Sequence, residues 1–388
     1  MSQDARILLP GRSTALTVIS PGWADSYPPP SARRVYAAAH VAARADGSID
    51  WDATAGFRDY LWDRGFGLAE AMDTAQRGMG LSWEVARELI ARSAERLGKR
   101  RAAASLPAAA SGPAGPAAAL ACGAGTDQLS ADHHSLATIA RAYQEQLQFV
   151  QDTGADVIIM ASRALAASAR SARDYLDVYA DLLGQAERPV ILHWLGDAFD
   201  PALRGYWGGD FGAACDTVLD LIERAGQKVD GIKLSVLDAA KEVALRRRLP
   251  AGIRLYTGDD FNYADLIQGD SSGHSDALLG IFAAIAAPAA AALAALDRGD
   301  SFGYQAAMAP TVPLSRVIFE TPTYHYKVGV AFLAWLNGLQ PEFAMIGDLQ
   351  RRRTTGHLIR VFELAAAAGA LGKPELAVAR MTELLRAA

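Results

Sequence analysis

Short apolar runs alternate with amphipathic helical segments along most of this chain. The runs at 155–161 and 189–194 are mostly apolar, which is typical of strands buried on both faces in a parallel sheet. A segment with apolar residues at helical spacing follows each run, and about seven or eight such units recur at intervals of roughly 20–40 residues. No Gly-x-Gly-x-x-Gly motif opens the first unit. The alternation therefore predicts a (β/α)8 TIM barrel rather than an open, doubly wound sheet.

The barrel pattern leaves a segment at each end of the chain. Residues 1–34 are interpreted as a hairpin or lid followed by a Pro-rich connector, and the barrel is predicted to span 35–300. A low-complexity insertion rich in Ala, Pro and Gly is predicted at about 99–119. Residues 301–388 have helical character and exceed a single barrel helix. We interpret them as additional C-terminal helices that pack on the barrel and form the interface of a homo-oligomer.

Composition limits the partners of this chain. A net charge of −5 gives no electrostatic footprint for nucleic acid. The two cysteines, Cys122 and Cys215, are too few for a disulfide framework, so a reducing, cytoplasmic compartment is predicted. Residues 1–10 lack the pattern of a signal peptide, and the Ala-rich stretches contain prolines, so no membrane association is expected. Because no nucleotide-binding loop is present, we predict a small-molecule substrate and no cofactor.

Polar residues follow nearly every predicted strand. In a barrel of this type the chemistry lies at the carboxyl ends of the strands, because the connecting loops there surround one mouth. We therefore expect these side chains to meet at that mouth and to bind the substrate. The residues with this predicted role are His40, Glu70, Asp73, Thr74, Asp259, Asp260 and His274.

One of these strands carries a lysine in its interior. Lys233 lies in the run 229–236, among residues of buried-strand character. Burial disfavours the ammonium form, so such a lysine either pairs with a carboxylate or becomes a usable amine nucleophile. The chain has only six lysines and uses arginine elsewhere for positive charge. Since arginine cannot lose its proton in a protein, lysine at 233 indicates imine chemistry.

The lysine strand Gly231-Ile-Lys233 resembles the Gly-Ile-Lys run of a known family, the dihydrodipicolinate synthases and N-acetylneuraminate lyases, which are class I aldolases. The chain is identified as a divergent member of that family, of the DUF993 type. The resemblance implies a (β/α)8 barrel with extra C-terminal helices, and it gives Lys233 the position of the family's Schiff-base lysine. Further segments match in order over residues 35–340, namely Ala45–Asp52, Cys122–Gly125, Gly154–Ile159, Pro189–Leu192 and Tyr256–Asp260.

Two positions depart from the family pattern. Where the family's fifth strand ends in a proton-relaying tyrosine, this chain has His193, which is a competent general acid or base near neutral pH. The family turn Gly-Thr-Thr-Gly-Glu, which grips the carboxylate of pyruvate, reads Met72-Asp-Thr-Ala-Gln76. Thr74 remains of the hydroxyl pair, and Asp73 would repel an anionic carboxylate. These departures point away from pyruvate as substrate.

The sequence therefore predicts a Schiff-base-forming lyase or aldolase that acts on a small carbonyl compound derived from a sugar or keto sugar. Lys233 would form the imine, and His193 would shuttle the proton. Two alternatives stay open. The first is a metal-dependent sugar isomerase or epimerase with His40, Glu70, His193 and Asp259 as ligands, although no metal-binding spacing motif is present. The second is a non-catalytic ligand-binding barrel.

The C-terminal segment also contains a cluster of aromatic residues. It consists of Tyr324-His-Tyr-Lys327 together with Trp335. Such a cluster on a helical segment is more often packed against the body of a protein than part of a binding site. We therefore predict that it packs the extension on the barrel.

Overall fold

The predicted apolar runs form parallel strands that close into a barrel of eight. The computed structural model describes residues 4–103 and 119–387. The barrel strands follow chain order, and the last pairs with the first, with Ala277 opposite Val35. This confirms the (β/α)8 TIM barrel. After an antiparallel hairpin of β1 (Ala5–Ile7) and β2 (Leu16–Val18), the barrel strands are β3 (Val35–Ala38), β4 (Gly67–Glu70), β5 (Leu120–Ala124), β6 (Asp156–Ile159), β7 (Val190–Leu195), β8 (Val229–Ser235), β9 (Arg254–Thr257) and β10 (Asp276–Leu279).

Polar caps determine where several of the helices begin. The carboxylate of Asp50 accepts the N–H of Ala53 at 3.0 Å, and the hydroxyl of Ser135 accepts that of Thr138 at 3.1 Å. The helices between and after the barrel strands are α1 (Trp51–Asp63), α2 (Trp83–Ala103), α3 (Leu136–Asp152), α4 (Arg163–Ser168), α5 (Ala172–Gln185), α6 (Phe211–Ala225), α7 (Ala239–Arg246), α8 (Tyr263–Gln268) and α9 (Ala286–Asp297).

The additional helices form the C-terminal extension. They are α10 (Ser301–Met308), α11 (Thr311–Ile318), α12 (Lys327–Leu336), α13 (Thr355–Ala367) and α14 (Pro374–Ala387). Every residue of α12 is buried, and the hairpin packs on this part of the molecule, β1 against α14 and β2 against α13. The indole Nε1 of Trp23 donates to the carbonyl of Gly369 at 2.8 Å, which ties the connector to the same helices. Within the described part of the chain, no helix is long and apolar enough to cross a membrane.

The interior of the barrel is filled by side chains rather than left as a channel. Tyr36 and Tyr256 meet edge to face with ring centroids 6.1 Å apart, and the Tyr256 hydroxyl donates to Asp230 at 2.5 Å. A filled interior confines ligand chemistry to the strand ends and loops above it. The cluster contains Tyr36, Ala38, Ala69, Met72, Ala119, Ala121, Ile158, Met160, Ile191, Tyr256 and Leu278.

Two local features differ from the sequence interpretation. The sequence left the number of strand–helix units at seven or eight, and the eighth strand lies at Asp276–Leu279, where the apolar residues continue without a polar boundary towards α9. Helix α2 continues to Ala103, into the range predicted for the low-complexity insertion, since its Ala and Arg residues favour a helix. The rest of that predicted insertion, residues 104–118, lies outside the described residues.

Candidate active site

Lys233 lies near the carboxyl end of β8 and is 7% exposed. No carboxylate of the described residues lies within ion-pair distance of its ammonium group, and the amine has no hydrogen-bond partner among them. Burial lowers the pKa of Lys233, and the negative charges of Asp73 and Asp260 partly oppose this shift. Gly258 makes room for the side chain, because a Cβ at that position would lie 2.9 Å from Lys233 Cε.

His193 lies beside this lysine on the neighbouring strand. The two residues are paired in register across β7 and β8. His193 also comes two residues after Ile191, whose side chain is in the barrel interior, so strand alternation directs the imidazole inward. The ring is buried, and neither nitrogen has a hydrogen-bond partner among the described residues. Burial and the nearby charge of Lys233 lower the pKa of His193 well below its usual value, so the imidazole is neutral at neutral pH.

Asp73 and Thr74 approach the same place from the turn that follows β4. The Asp73 carboxylate lies 4.0 Å from His193 Nδ1, and no lysine or arginine of the described residues lies within ion-pair distance of it. The Thr74 hydroxyl is buried and forms a hydrogen bond of 2.8 Å with the hydroxyl of Tyr326. Both residues were predicted from sequence, and the structure brings them to the carboxyl end of the barrel.

Asp260 follows β9 and is buried beside the lysine. Its Oδ1 accepts the backbone N–H of Ile281 at 2.9 Å. Burial raises the pKa of Asp260 to about 7, with the N–H of Ile281 and the charge of Lys233 acting in the opposite direction. This carboxyl group therefore changes protonation near neutral pH and is coupled electrostatically to the amine.

The C-terminal extension supplies two residues that the sequence did not place in the site. The Tyr326 ring meets Phe199, which lies in the loop after β7, edge to face with centroids 6.2 Å apart, so the predicted packing of the extension on the barrel is present, and the Tyr326 hydroxyl also contacts Thr74. Lys327 donates to the carbonyl of Tyr324 at 3.1 Å, and burial lowers its pKa to about 8. In the sequence, only the polar and aromatic residues of segment 324–327 could have indicated that it contributes to the site. Such residues occur both in binding sites and in packed interfaces, so they do not distinguish the two.

A cavity of about 270 Å³ opens beside this group of residues. Asp73 belongs both to its wall and to the surroundings of Lys233, so it joins the cavity to the lysine. Arg163 in the wall is paired with Asp200 at 2.5 Å. The other polar wall residues are Arg77, Thr126, Asp127, Ser130 and Ser162, of which Arg77 and Asp127 form an ion pair.

Glu70 and His40 were both predicted to bind substrate, but their side chains form hydrogen bonds to other parts of the protein. The Glu70 carboxylate faces the outer helices, where it accepts from Arg58 at 2.9 Å and from Ser93 at 2.6 Å. Glu70 is the last residue of β4 and alternation turns it away from the barrel interior, whereas Asp73 lies in the turn beyond. His40 Nε2 is hydrogen-bonded to Gln340 at 2.6 Å, and burial lowers the pKa of this imidazole to about 4.

Asp259 and His274 also differ from expectation. The Asp259 carboxylate accepts the Nδ2–H of Asn262 at 2.8 Å and the N–H of Phe261 at 2.9 Å, so it caps its own loop. His274 precedes β10 instead of following a strand, which places it at the opposite, amino-terminal end of the barrel. The four residues considered as metal ligands are thus not gathered, and no group of three or more His, Cys, Asp or Glu in the described residues is arranged to hold a metal ion.

The residues that meet at the carboxyl end of the barrel differ in their protonation at neutral pH. Lys233, an amine of lowered pKa, is paired in register with the neutral imidazole of His193. The charges of Asp73 and of Asp260, a carboxyl group that titrates near pH 7, act on this amine. The protonated phenol of Tyr326 contacts the Thr74 hydroxyl beside Asp73. Such a set can release a proton from the amine, accept a proton from a bound molecule and return it to a different atom.

The structure is similar to solved dihydrodipicolinate synthases. The enzyme from Oceanobacillus iheyensis superposes with a TM-score of 0.61 at 14% identity, covering 86% of this chain and 95% of that one. The enzyme from Aquifex aeolicus has a TM-score of 0.64 at 13% identity, with 88% and 99% covered. A putative dihydrodipicolinate synthetase from Pseudomonas aeruginosa has a TM-score of 0.64 at 16% identity, with 86% and 99% covered. At such identities the likeness shows a shared fold.

Comparison of sequences identifies a family but no curated relative. No curated protein gives a significant sequence match to this chain. A family model described as "Protein of unknown function (DUF993)" matches residues 11–388. The chain therefore belongs to the DUF993 family, and it is a divergent member of the group of proteins that have the barrel fold of the dihydrodipicolinate synthases.

Proposed function

We propose that this protein is a Schiff-base-forming carbon–carbon lyase or aldolase in which Lys233 forms an imine with a small carbonyl compound. The observation that carries the proposal is the state of Lys233, which is a buried amine of lowered pKa without an ion-pair partner among the described residues. A lysine kept only for its charge would need a carboxylate to offset the cost of burial. A lysine kept as a nucleophile needs to be neutral, and burial without a partner favours that form.

His193 is the proposed acid and base for the carbon-centred steps. Once the imine has formed, it draws electrons from an adjacent C–C or C–H bond and stabilises the carbanion that results. A neutral imidazole next to the amine can accept the proton released in that step and return it to carbon. Neither ring nitrogen of His193 has a hydrogen-bond partner among the described residues, so the basic nitrogen is free for this purpose, and Asp73 lies 4.0 Å from Nδ1.

The proposed substrate is a polyhydroxylated, mostly neutral carbonyl compound derived from a sugar or keto sugar. The arginines in the cavity wall are already paired with Asp127 and Asp200, so they are poor anchors for an additional anionic group. Thr126 and Ser162 place two hydroxyl groups in the wall, 2.5 Å from each other, and Asp73, which pairs with no lysine or arginine of the described residues, adds a carboxylate acceptor. These groups suit the alternating donors and acceptors of a polyol.

Reductive trapping tests the proposal directly. Purified protein is incubated with glyceraldehyde, dihydroxyacetone, hydroxyacetone or pyruvate in cyanoborohydride, and the adduct is located by peptide mass mapping. We expect a stable adduct on Lys233 with a hydroxylated carbonyl compound, and none in Lys233→Met. Lys241→Met, which changes an exposed lysine on α7, is the matched control and should be labelled at 233 as the native protein is. Binding of these compounds without any adduct on Lys233 would instead favour a non-catalytic binding barrel.

A further inference from the structure

The turn after β4 passes through a residue with an unusual backbone conformation. Ala71 has a φ of 52°, in the left-handed region that residues with a Cβ seldom adopt. It follows Glu70, the last residue of β4, and comes two residues before Asp73. The Glu70 carboxylate accepts the Ala71 N–H at 2.9 Å. Such a conformation persists only where the surrounding structure holds it, so the carbonyl side of Ala71 needs a partner as well.

Arg77 provides this partner from the wall of the cavity. Its Nη1 donates to the carbonyl oxygens of Ala71 and Gly123, each at 3.2 Å. The turn lies directly on β5 at this point, because a Cβ at Gly123 would lie 2.7 Å from the Ala71 carbonyl oxygen. One guanidinium group therefore joins the left-handed turn to the carboxyl end of β5.

The remaining donors of Arg77 are also engaged. Its Nε donates to Asp127 at 2.8 Å, while Nη2 donates to the same carboxylate and to Gln146 on α3, the latter at 2.7 Å. Gln146 itself donates to Asp127 at 2.9 Å. The Arg77 side chain is 2% exposed, and its five hydrogen bonds match the five N–H donors of a guanidinium group. Although Arg77 borders the cavity, it has no donor left for a ligand, which favours a role in holding the protein backbone.

The turn that Arg77 holds carries a charge to the site. The Asp73 carboxylate lies 4.0 Å from His193 Nδ1, and His193 is paired in register with Lys233. A shift of the turn would therefore change the negative charge near the amine. The titratable groups that face Lys233 from the described elements around it are Asp73 in this turn, His193 on β7, Tyr256 on β9 and Asp260 after β9.

We propose that Arg77 is a positioning residue that holds the left-handed turn at Ala71 against β5, so that the Asp73 carboxylate stays beside His193 and Lys233. This inference rests on the proposed function, in which Lys233 is the amine nucleophile. A lysine at 77 would keep the positive charge, but an ammonium group lacks the planar fork that reaches both carbonyls and Asp127 together. Without that fork Ala71 relaxes to a negative φ and Asp73 moves away. The amine then loses a neighbouring negative charge, and the pKa of Lys233 falls.

Competitive acetylation with acetic anhydride tests the inference. Labelling from about pH 5 to about pH 11, followed by peptide mass mapping, gives the pH midpoint of Lys233 reactivity whether or not this lysine forms an imine. We expect Arg77→Lys to lower this midpoint by at least about half of the shift that Asp73→Asn causes. The double variant should match Asp73→Asn alone, because the position of residue 73 no longer matters once its charge is absent. Gly123→Ala, which changes no charge but pushes the turn away from β5, should lower the midpoint too.

Arg33→Lys is the matched control. Arg33 precedes β3 and donates to the carbonyl oxygens of Ile267 at 2.6 Å and Gln268 at 3.0 Å, at the opposite, amino-terminal end of the barrel. This variant loses the same kind of fork to backbone carbonyls, so a general loosening of the barrel should appear in it as well. We expect its Lys233 midpoint to stay at the native value, with circular dichroism confirming that all variants are folded.

The outcomes separate this inference from the function on which it rests. A native midpoint in folded Arg77→Lys or in Asp73→Asn overturns the positioning role, and so does an equal fall in Arg33→Lys. If Arg77→Lys does not fold, Gly123→Ala decides, and a native midpoint in that variant overturns the role. If Arg77→Lys lowers the midpoint but the native protein forms no adduct with any of the four carbonyl compounds, the Schiff-base function is wrong and the positioning of Asp73 stands.

Discussion

At the scale of single residues, the proposed chemistry depends on which groups carry protons at neutral pH. Burial drives the pKa of Lys233 and His193 downward and that of Asp260 upward, because a charge is less stable away from water. The neighbouring charges oppose burial at Lys233, where Asp73 and Asp260 raise the pKa, and at Asp260, where Lys233 lowers it. At His193 the charge of Lys233 instead adds to the effect of burial. The pKa values in the site thus depend on both desolvation and neighbouring charges. A substitution that removes a charge should shift them in a known direction.

Asp73→Asn should move the pH dependence of adduct formation to lower pH. The negative charge of Asp73 favours the ammonium form of Lys233 and so raises its pKa against the effect of burial. An asparagine has nearly the same shape without the charge, so the pKa of Lys233 should fall further. Adduct formation is measured from about pH 5 to about pH 11, a range that includes the unperturbed pKa values of histidine and lysine. Asp197→Asn, at an exposed carboxylate, is the control, and a midpoint that rises in Asp73→Asn would contradict the assignment.

Glu242 links the stability of the fold to pH. This buried carboxyl group on α7 accepts hydrogen bonds from Thr257 at 2.9 Å and from Ser275 at 2.7 Å, and burial raises its pKa to about 8. A pKa higher in the folded than in the unfolded chain means that the stabilisation is complete below about pH 4.5 and is lost as pH rises through about 8.

Glu242→Gln should therefore weaken the pH dependence of unfolding. Between about pH 6 and pH 8 the ionisable group should cost the native protein on the order of 2 kcal/mol, and a glutamine has no proton to lose. Urea denaturation across this range measures the difference. Glu223→Gln, at an exposed position on α6, should follow the native curve. A Glu242→Gln curve parallel to the native one would show that this group does not carry the linkage.

At the scale of elements, strand ends alone do not decide which polar residues reach the site. The Glu70 carboxylate ties β4 to α1 through Arg58 and to α2 through Ser93. This contact stabilises the packing of helices on the barrel and leaves Asp73, three residues later, to face the cavity.

Arg58→Met should destabilise the fold strongly without changing the chemistry of the folded molecule. Both partners of the Arg58–Glu70 pair are at most 1% exposed, and an unpaired buried carboxylate costs about 3–5 kcal/mol. Glu88→Gln, which breaks an exposed pair with Arg92, should cost less than about 1 kcal/mol. Denaturation gives both values. A substrate-binding role for Glu70 would regain support if Arg58→Met proved as stable as the native protein but failed to form the Lys233 adduct.

At the scale of the whole molecule, the C-terminal extension behaves as part of the barrel's core. All ten residues of α12 are buried, and the barrel strands β7 and β8 are buried to a similar degree. The short hairpin, by contrast, presents Leu8 and Ile19 to solvent. The part of the molecule that carries Tyr326 should therefore open only when the barrel opens.

Native-state hydrogen exchange tests this coupling. We expect the amides of 327–336 to exchange as slowly as those of β7, and about 100-fold more slowly than those of the hairpin, because local opening of exposed elements has a low free energy. Mass spectrometry of peptides after timed exchange gives the rates. Exchange in α12 as fast as in the hairpin would mean that the extension opens independently and does not hold Tyr326 beside Thr74.

The barrel itself could be predicted from the sequence because its signal is local. Each strand–helix unit carries its own apolar run and its own helical periodicity, so the repeat is visible before any long-range contact is known. The eighth strand was not distinguished because its apolar residues continue without a polar boundary into those of the helix that follows. That miss also placed His274 at the wrong end of the barrel.

The fold class and the place of Lys233 on a buried strand can be predicted from local sequence, since both follow from residue types within a few positions of one another. The polar groups that surround this lysine are brought together by long-range packing. It separated Glu70 from Asp73 through the direction in which each side chain points, and it joined Tyr326 to Thr74 across 252 residues. The packing of an extension on a barrel sets such contacts, and no local pattern of residues encodes them.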